Sequence, residues 1–146
     1  MRFLLLFLFS SILTVGFSQK DTDLSGCWRG KITQDQGGFR PEYGMELYLT
    51  QKGDQITGRS FVYFDKYYAE MELEGQVLGN KIIQFRETKV NAFKKVDTME
   101  WCVKQAVLTL IKSGNPWKLE GAWNGATQFG PCIPGKIFLK KSIPRA

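Results

Sequence analysis

The chain has 146 residues, of which 43% are hydrophobic, so it fits one globular domain with its own core and is not a disordered chain. It contains no histidine, which excludes Ser-His-Asp triads, Cys-His pairs and histidine metal sites. The 20 basic residues outnumber the 14 acidic ones and give a formal charge of +6.

The first 18 residues have the features of a secretory signal peptide. Arg2 precedes an apolar run, and the small residues Gly16 and Ser18 fit a cleavage site before Gln19. The run is interrupted by serine and threonine and is shorter than the roughly 20 residues that a transmembrane helix needs. We therefore predict a cleaved signal peptide over residues 1–18 and a protein that does not span a membrane.

Cleavage would leave a basic protein in a secreted or periplasmic location. Without Arg2 the chain keeps 19 basic and 14 acidic residues, a formal charge of +5. Such a charge favours anionic partners, but the basic residues are dispersed along the chain, so we predict no nucleic-acid partner. We predict a short linker over 19–23, the folded domain over 24–141 and a tail over 142–146.

The stretch LSGCWRG, from Leu24 to Gly30, fits two interpretations. Leu-Ser-Gly-Cys resembles the box that lipoprotein processing cuts before a cysteine, which would make Cys27 a lipid anchor. However, the charged segment from Lys20 to Asp23 separates this box from the apolar run, and charges are costly at a membrane-embedded processing site. We therefore interpret the stretch as the first strand of the domain.

The pattern of this first strand recurs near the end of the chain. LSGCWRG and LEGAWNG share Leu-x-Gly-x-Trp-x-Gly, with Trp28 and Trp123 at the same position of the pattern. Alternate residues of a strand lie on one face, so each tryptophan shares a face with the flanking leucine and glycines. We predict that Trp28 and Trp123 are inward-facing structural residues.

Strand periodicity continues through the rest of the chain. MELYLTQ alternates apolar and polar residues, and in YAEMELEGQV three glutamates alternate with apolar residues. One apolar face and one solvated face are typical of antiparallel sheet, and no window has a clear helical period. We predict eight strands, at about 24–34, 43–52, 55–64, 67–78, 81–88, 98–112, 117–124 and 136–141.

The connections between these strands alternate in length. Compact turns rich in glycine and asparagine occupy 52–54, 79–80 and 113–116, whereas longer loops occupy 35–42, 89–97 and 125–135. Successive turns of a meander fall at opposite ends, so the compact turns should close one end, the floor, and the long loops should surround the other, the mouth. The predicted fold is all-β, an antiparallel up-and-down eight-stranded β-barrel.

Gly26-x-Trp28 on the first strand, together with DQITGRS and YAEMELEG, resembles the calycin group of lipocalins, fatty-acid-binding proteins and avidins. The resemblance implies that Trp28 plugs the closed end and that a basic residue of the last strand packs across it. Lys140 is the matching position, or Lys141 if the register is shifted by one. The polar set with which avidins bind biotin is absent, so the resemblance suggests a shape and the ligand must be argued from the site.

Three cysteines in an exported protein suggest one disulfide and one leftover thiol. In the meander, Cys102 and Cys132 both lie near the mouth, whereas Cys27 lies at the floor, a barrel length away. Because a disulfide requires Cα atoms within about 7 Å, we predict the pair Cys102–Cys132. Three free thiols are the alternative, and no metal site is predicted.

The sequence offers candidates for a binding site and none for catalysis, so we predict a protein that is not an enzyme and has no cofactor. Aromatic rings beside cations near the mouth would suit a small hydrophobic or amphiphilic ligand with an anionic head. The predicted mouth residues are Phe39, Arg40, Tyr43, Tyr63, Tyr67, Phe93, Lys94, Lys95 and Phe129. The alternative is a barrel packed full of side chains whose exposed aromatics contact a surface protein or a glycan.

Overall fold

The computed structural model describes residues 22–143, and these form an all-β domain. Most of the linker predicted over 19–23, and the whole of the signal peptide, lie outside the described residues. The strands are β1 (Gly26–Thr33), β2 (Glu42–Lys52), β3 (Gln55–Phe64), β4 (Tyr67–Leu78), β5 (Ile82–Lys94), β6 (Val103–Ile111), β7 (Lys118–Thr127), β8 (Gly130–Pro131) and β9 (Gly135–Lys141).

Eight of these strands close into an antiparallel barrel. Each strand from β1 to β7 pairs with the next one in sequence, and β9 pairs with both β7 and β1. The seam between β9 and β1 runs from Trp28 opposite Lys141 to Ile32 opposite Ile137. The two-residue β8 pairs only with the end of β7 and lies outside the ring. The predicted eight-stranded up-and-down barrel is confirmed.

The connections separate by length as predicted, with one exception. The turns from β2 to β3, from β4 to β5 and from β6 to β7 are all at the floor. Gly79 and Asn80 both have positive φ in the second of these turns, at 59° and 64°, as a two-residue hairpin turn requires. Long loops surround the mouth, where the β3–β4 turn at Asp65 and Lys66 is also short.

Two strand boundaries differ from the prediction. β5 continues to Lys94, so the predicted loop over 89–97 is shifted to 95–102, and β6 begins at Val103 instead of residue 98. β5 pairs with β6 only over Ile82–Arg86, whereas its later residues pair with β4 alone, through two register shifts. From Thr88 to Lys94 these residues are all exposed, so they lack the apolar–polar alternation from which strands were predicted.

The glycines of the repeated pattern lie where the sheet bends closely on itself. A Cβ on Gly30 would lie 2.0 Å from the carbonyl oxygen of Phe138, and one on Gly121 would lie 2.0 Å from that of Val107. Neither position can hold a larger residue without moving the neighbouring backbone. The glycines thus allow adjacent strands to approach where a small barrel must curve.

Trp28 is buried at the floor end of the barrel. Its side chain is fully buried, and its Nε1 donates a hydrogen bond to the carbonyl oxygen of Leu24 at 2.9 Å. The cation that lies across it is Lys141, whose Nζ is 5.6 Å from the centre of the Trp28 ring. Successive residues of a strand alternate between its two faces, so Lys141 lies on the same face as the buried Leu139. Lys140 lies on the opposite face and is exposed.

Candidate functional site

An aromatic cluster lies across the mouth end of the barrel, with Phe64 at its centre. The Phe64 ring lies within 6.0 Å, between ring centroids, of each of four other rings: those of Phe39, Tyr43, Tyr67 and Trp101. Tyr43 is buried and donates a hydrogen bond from its hydroxyl to Oε1 of Gln34 at 2.8 Å. We call these five rings the aromatic plug, because they pack where an open mouth was predicted.

Arg40 lies against the plug. Its guanidinium carbon is 4.5 Å from the ring centre of Phe64 and 5.6 Å from that of Tyr43. Its Nε is buried and has no hydrogen-bond partner among the described residues. The cation is therefore held mainly by stacking, and one of its donors remains available for an acceptor.

Burial also affects the ionisation of the plug. Burial raises the pKa of the Tyr43 hydroxyl above its ordinary value, although the nearby Arg40 charge acts in the opposite direction. Tyr43 is therefore a neutral hydrogen-bond donor throughout the physiological range. It ties the β1–β2 loop, through Gln34, to the plug.

A polar cluster lies inside the barrel below the plug. Lys104 Nζ is 3.0 Å from Oε2 of Glu87, and the two side chains are 4% and 0% exposed. Ser60 donates a short hydrogen bond to the other carboxylate oxygen, and the backbone N–H of Lys104 donates to Oε2 at 2.7 Å. Lys104 Nζ also donates to the carbonyl oxygen of Cys102 at 3.0 Å. The carboxylate thus fills the gap where β5 and β6 separate.

Little room remains in this part of the interior. The cavity lined by Lys104, the plug residues Tyr43 and Trp101, and Trp123 of β7 holds only about 60 Å³. Trp123 is buried as predicted and donates from Nε1 to the carbonyl oxygen of Thr33 at 2.8 Å. A drug-sized ligand requires roughly 300–1,000 Å³, so the space below the plug accommodates only a few water molecules.

A larger depression lies outside the plug, between three loops of the mouth. We call it the rim groove. It has a volume of about 470 Å³ and is lined by Gln34, Gly37, Gly38, Phe39, Asp97, Thr98, Met99, Glu100, Cys102, Thr127, Phe129, Pro131, Cys132 and Ile133. Phe129 is 78% exposed and Phe39 is 50% exposed, so the groove has apolar walls open to solvent.

The predicted disulfide forms part of this groove. Cys102 and Cys132 are bonded, with their Cα atoms 6.3 Å apart, whereas Cys27 is a free thiol on β1. The bond joins the start of β6 to the loop after β8. It therefore fixes two walls of the rim groove relative to each other, and it fits an oxidising compartment.

The structure separates the two lysines predicted at the mouth. Lys95 Nζ is 2.8 Å from a carboxylate oxygen of Glu100 and also donates to the carbonyl oxygen of Met99 at 3.2 Å. Lys94 and Phe93 are exposed at the end of β5, where its later residues pair only with β4. Asp97 and Glu100 line the rim groove, so the charged groups there include two carboxylates.

Two of the aromatic residues predicted at the mouth lie on opposite faces of the sheet. Tyr67 points into the plug, whereas Tyr63 lies on the outer face of β3, with its ring 5.3 Å from that of Phe61. The sequence prediction placed both in one site because they flank the same short turn. The structure therefore brings together Phe39, Arg40, Tyr43 and Tyr67, with Phe129 beside the rim groove.

The buried polar cluster was missed in the sequence, although a signal for it exists. Glu87 has the same parity as the inward-facing Ile83 and Phe85, and Lys104 has the same parity as Ala106 and Leu108. A charge at an inward position of a strand predicts a buried partner. Two such charges on neighbouring strands could therefore have been paired from sequence.

Comparisons of the chain with protein-family models, with curated proteins and with solved structures found no match in any of the three. Within residues 22–143, no helix is long and apolar enough to cross a membrane. In the same part of the chain, no three cysteine, aspartate or glutamate side chains come together in a way that could hold a metal ion. Function must therefore be argued from the mouth itself.

Proposed function

We propose that the protein is an exported, non-enzymatic binding module with a filled barrel. Its partner is an extended segment of another protein that carries an apolar side chain and a basic side chain. The observation that carries this proposal is the contrast between about 60 Å³ of space below the plug and about 470 Å³ in the rim groove. Only the second volume lies in the range of ligand sites.

The chemistry of the rim groove supports a peptide segment over a lipid. Phe39, Phe129 and Ile133 offer exposed apolar contacts, at 50%, 78% and 36% exposure, which suit an apolar side chain. Asp97 would attract a basic residue beside it, whereas the Glu100 carboxylate is already paired with Lys95. An anionic fatty-acid head would meet the Asp97 carboxylate, which opposes it.

Preorganisation also supports binding at the groove. The Cys102–Cys132 bond fixes one side, and the hydrogen bond from Tyr43 to Gln34 ties the opposite loop to the plug. Walls that are already ordered lose little conformational entropy when a partner binds.

Peptide display tests the proposal. Peptides selected on the purified exported protein should combine an apolar residue with lysine or arginine. Phe129→Asp should abolish their binding, because it removes the most exposed apolar ring of the groove and sets a charge against the partner's apolar side chain. Val107→Asp, on the outer face of β6, should leave binding unchanged. Selected peptides that bind the Phe129→Asp protein as tightly as the parent would contradict the proposal.

One observation favours a second candidate, a carrier of a small anionic amphiphile. The buried Nε of Arg40 has no acceptor among the described residues, and an anionic head group entering through a displaced plug would supply one. This candidate requires the plug rings to move, because about 60 Å³ holds no acyl chain. A lipid-sized mass retained under native conditions and removed by organic extraction would favour it.

A further inference from the structure

A second aromatic surface lies on the outside of the barrel, away from the mouth interior. The register of β2, β3 and β4 places nine outward residues in three cross-strand rows. The rows are Gly44–Tyr63–Tyr68, Glu46–Phe61–Glu70 and Tyr48–Arg59–Glu72. Phe61 is thus at the centre, with a carboxylate on each side and aromatic rings in the row above.

The rings of this surface form a shallow platform. Phe61 lies 5.3 Å from Tyr63 and 5.7 Å from Tyr68, with interplanar angles of only 30° and 36°. Gly44 explains why the Tyr63 ring can lie flat, since a Cβ at that position would be 2.4 Å from the Cζ of Tyr63. One face of the ring therefore rests on β2, and 37% of the residue stays exposed.

A depression of about 210 Å³ adjoins the platform. It is lined by Phe61, Glu46, Tyr48, Arg59 and Glu70. Each carboxylate has a basic partner, because Arg29 lies 3.2 Å from Glu46 and Arg59 lies 3.3 Å from Glu70. The pocket thus combines an aromatic floor with planar, charge-balanced groups that both donate and accept hydrogen bonds.

We propose that this platform and its pocket are a binding site for a neutral carbohydrate. A pyranose ring presents a flat face of C–H groups that can stack on an aromatic plane, and its neighbouring hydroxyls can bond to carboxylates and guanidinium groups. The site lies apart from the rim groove and does not depend on the function proposed for it.

Local charge and ring geometry exclude the main competitors for such a platform. Nucleic-acid bases also stack on sheet aromatics, but Arg29 and Arg59 are already paired with Glu46 and Glu70, so neither guanidinium is free to neutralise the attached phosphates. A quaternary ammonium ion prefers a cage of rings at steep angles, whereas the Phe61 ring makes angles of only 30° and 36° with those of Tyr63 and Tyr68.

The test uses three neutral hexasaccharides, built of β-1,4-glucose, β-1,4-N-acetylglucosamine and α-1,4-glucose, and tetramethylammonium as the cationic probe. Binding is followed by NMR through saturation transfer to the sugar and through the aromatic resonances of the protein. At least one hexasaccharide should bind at millimolar concentration or below and shift the resonances of Phe61, Tyr63 and Tyr68.

Phe61→Ala and Tyr63→Ala should each weaken binding about ten-fold, the loss expected for one stacked ring. Gly44→Ala keeps all three rings but forces Tyr63 off the sheet, so it should weaken binding to a similar extent. Phe129→Ala removes a more exposed ring at the rim and should leave sugar binding unchanged, which separates this site from the rim groove.

Gly44→Ala carries the test if either ring deletion fails to fold. The proposal is overturned if none of the three hexasaccharides binds, or if Gly44→Ala binds as tightly as the parent. Tighter binding of tetramethylammonium at the same rings would also overturn it, since the site would then be a cation site.

Discussion

Lys104 Nζ lies 3.0 Å from a carboxylate oxygen of Glu87, and both side chains are buried inside a barrel whose other inward positions are mainly apolar. Glu87 also accepts hydrogen bonds from Ser60 and from the backbone of Lys104. The carboxylate therefore links β3, β5 and β6 just where the β5–β6 ladder ends at Arg86. The pair closes the barrel wall at this point and occupies space that a ligand cavity would need.

Replacing only one residue of this ion pair should destabilise the fold strongly. Lys104→Met leaves the Glu87 carboxylate buried without its cation and should cost about 3–5 kcal/mol of unfolding free energy. Replacing both residues by apolar ones of similar size should recover most of that loss, because no uncompensated charge remains. Urea unfolding of the Lys104 variant, the Glu87 variant and the double variant measures the coupling energy between the two side chains.

The exposed pair Arg86–Glu74 is the matched control, since its side chains are 69% and 52% exposed. Arg86→Met should cost no more than about 1 kcal/mol. If Lys104→Met costs as little as Arg86→Met, the cluster does not hold β5 and β6 together.

The Cys102–Cys132 bond should contribute measurably to stability. It closes a loop with a sequence separation of 30 residues, for which the chain-entropy model gives about 3.5 kcal/mol. The double change Cys102→Ser and Cys132→Ser should lower the unfolding free energy by about that amount and weaken peptide binding at the rim groove. Cys27→Ser, which removes the free thiol, should alter neither.

Gly121 and Gly44 should respond differently to the same added methyl group. Gly121→Ala forces a Cβ toward the backbone carbonyl of Val107 at 2.0 Å, which should cost about 1–3 kcal/mol. Gly44→Ala meets only the movable ring of Tyr63, so thermal unfolding should change far less. Equal losses for the two variants would contradict the close approach of β6 and β7.

Two tyrosines should titrate late in alkali. Burial raises the pKa of Tyr43, and a hydrogen bond to Glu46, with burial second, raises that of Tyr48. Because the folded-state pKa values are raised, these neutral phenols stabilise the fold fully below the ordinary tyrosine pKa of about 10. That stability is lost as the pH rises through the raised values.

Tyrosinate absorbance against pH measures this effect. The folded protein should show late-titrating groups for Tyr43 and Tyr48 that disappear in urea. Tyr43→Phe should remove one late group. If Tyr43→Phe instead removes a group that titrates in the ordinary range, Tyr43 is not buried as described.

The architecture could be predicted from sequence because its signals are local. Alternation marked the strands, and turn composition separated the floor from the mouth. The pair Cys102–Cys132 followed from that separation. The sequence prediction ended β5 at residue 88. Thr88 to Lys94 are all exposed and pair with β4 alone, so their sequence shows no alternation of apolar and polar residues.

The candidate site was less predictable, because it depends on which face of a strand each side chain occupies and on which charged side chains pair. Lys95 was assigned to an anionic ligand, yet Glu100, five residues away, pairs with it. Tyr63 and Tyr67 flank one turn but point to opposite faces, and the plug centre Phe64 lies between them in sequence. The end that carries the long loops could be predicted, but whether it was open or closed depended on side-chain packing across strands.

Chemical-shift mapping during an oleate titration tests most directly whether the barrel is filled. We predict that the resonances of the inward residues Met71, Leu73 and Trp123 stay unchanged at saturating oleate, with any shifts confined to the rim. Shifts at these three residues, in slow exchange and at one oleate per protein, would contradict it and establish an interior lipid site.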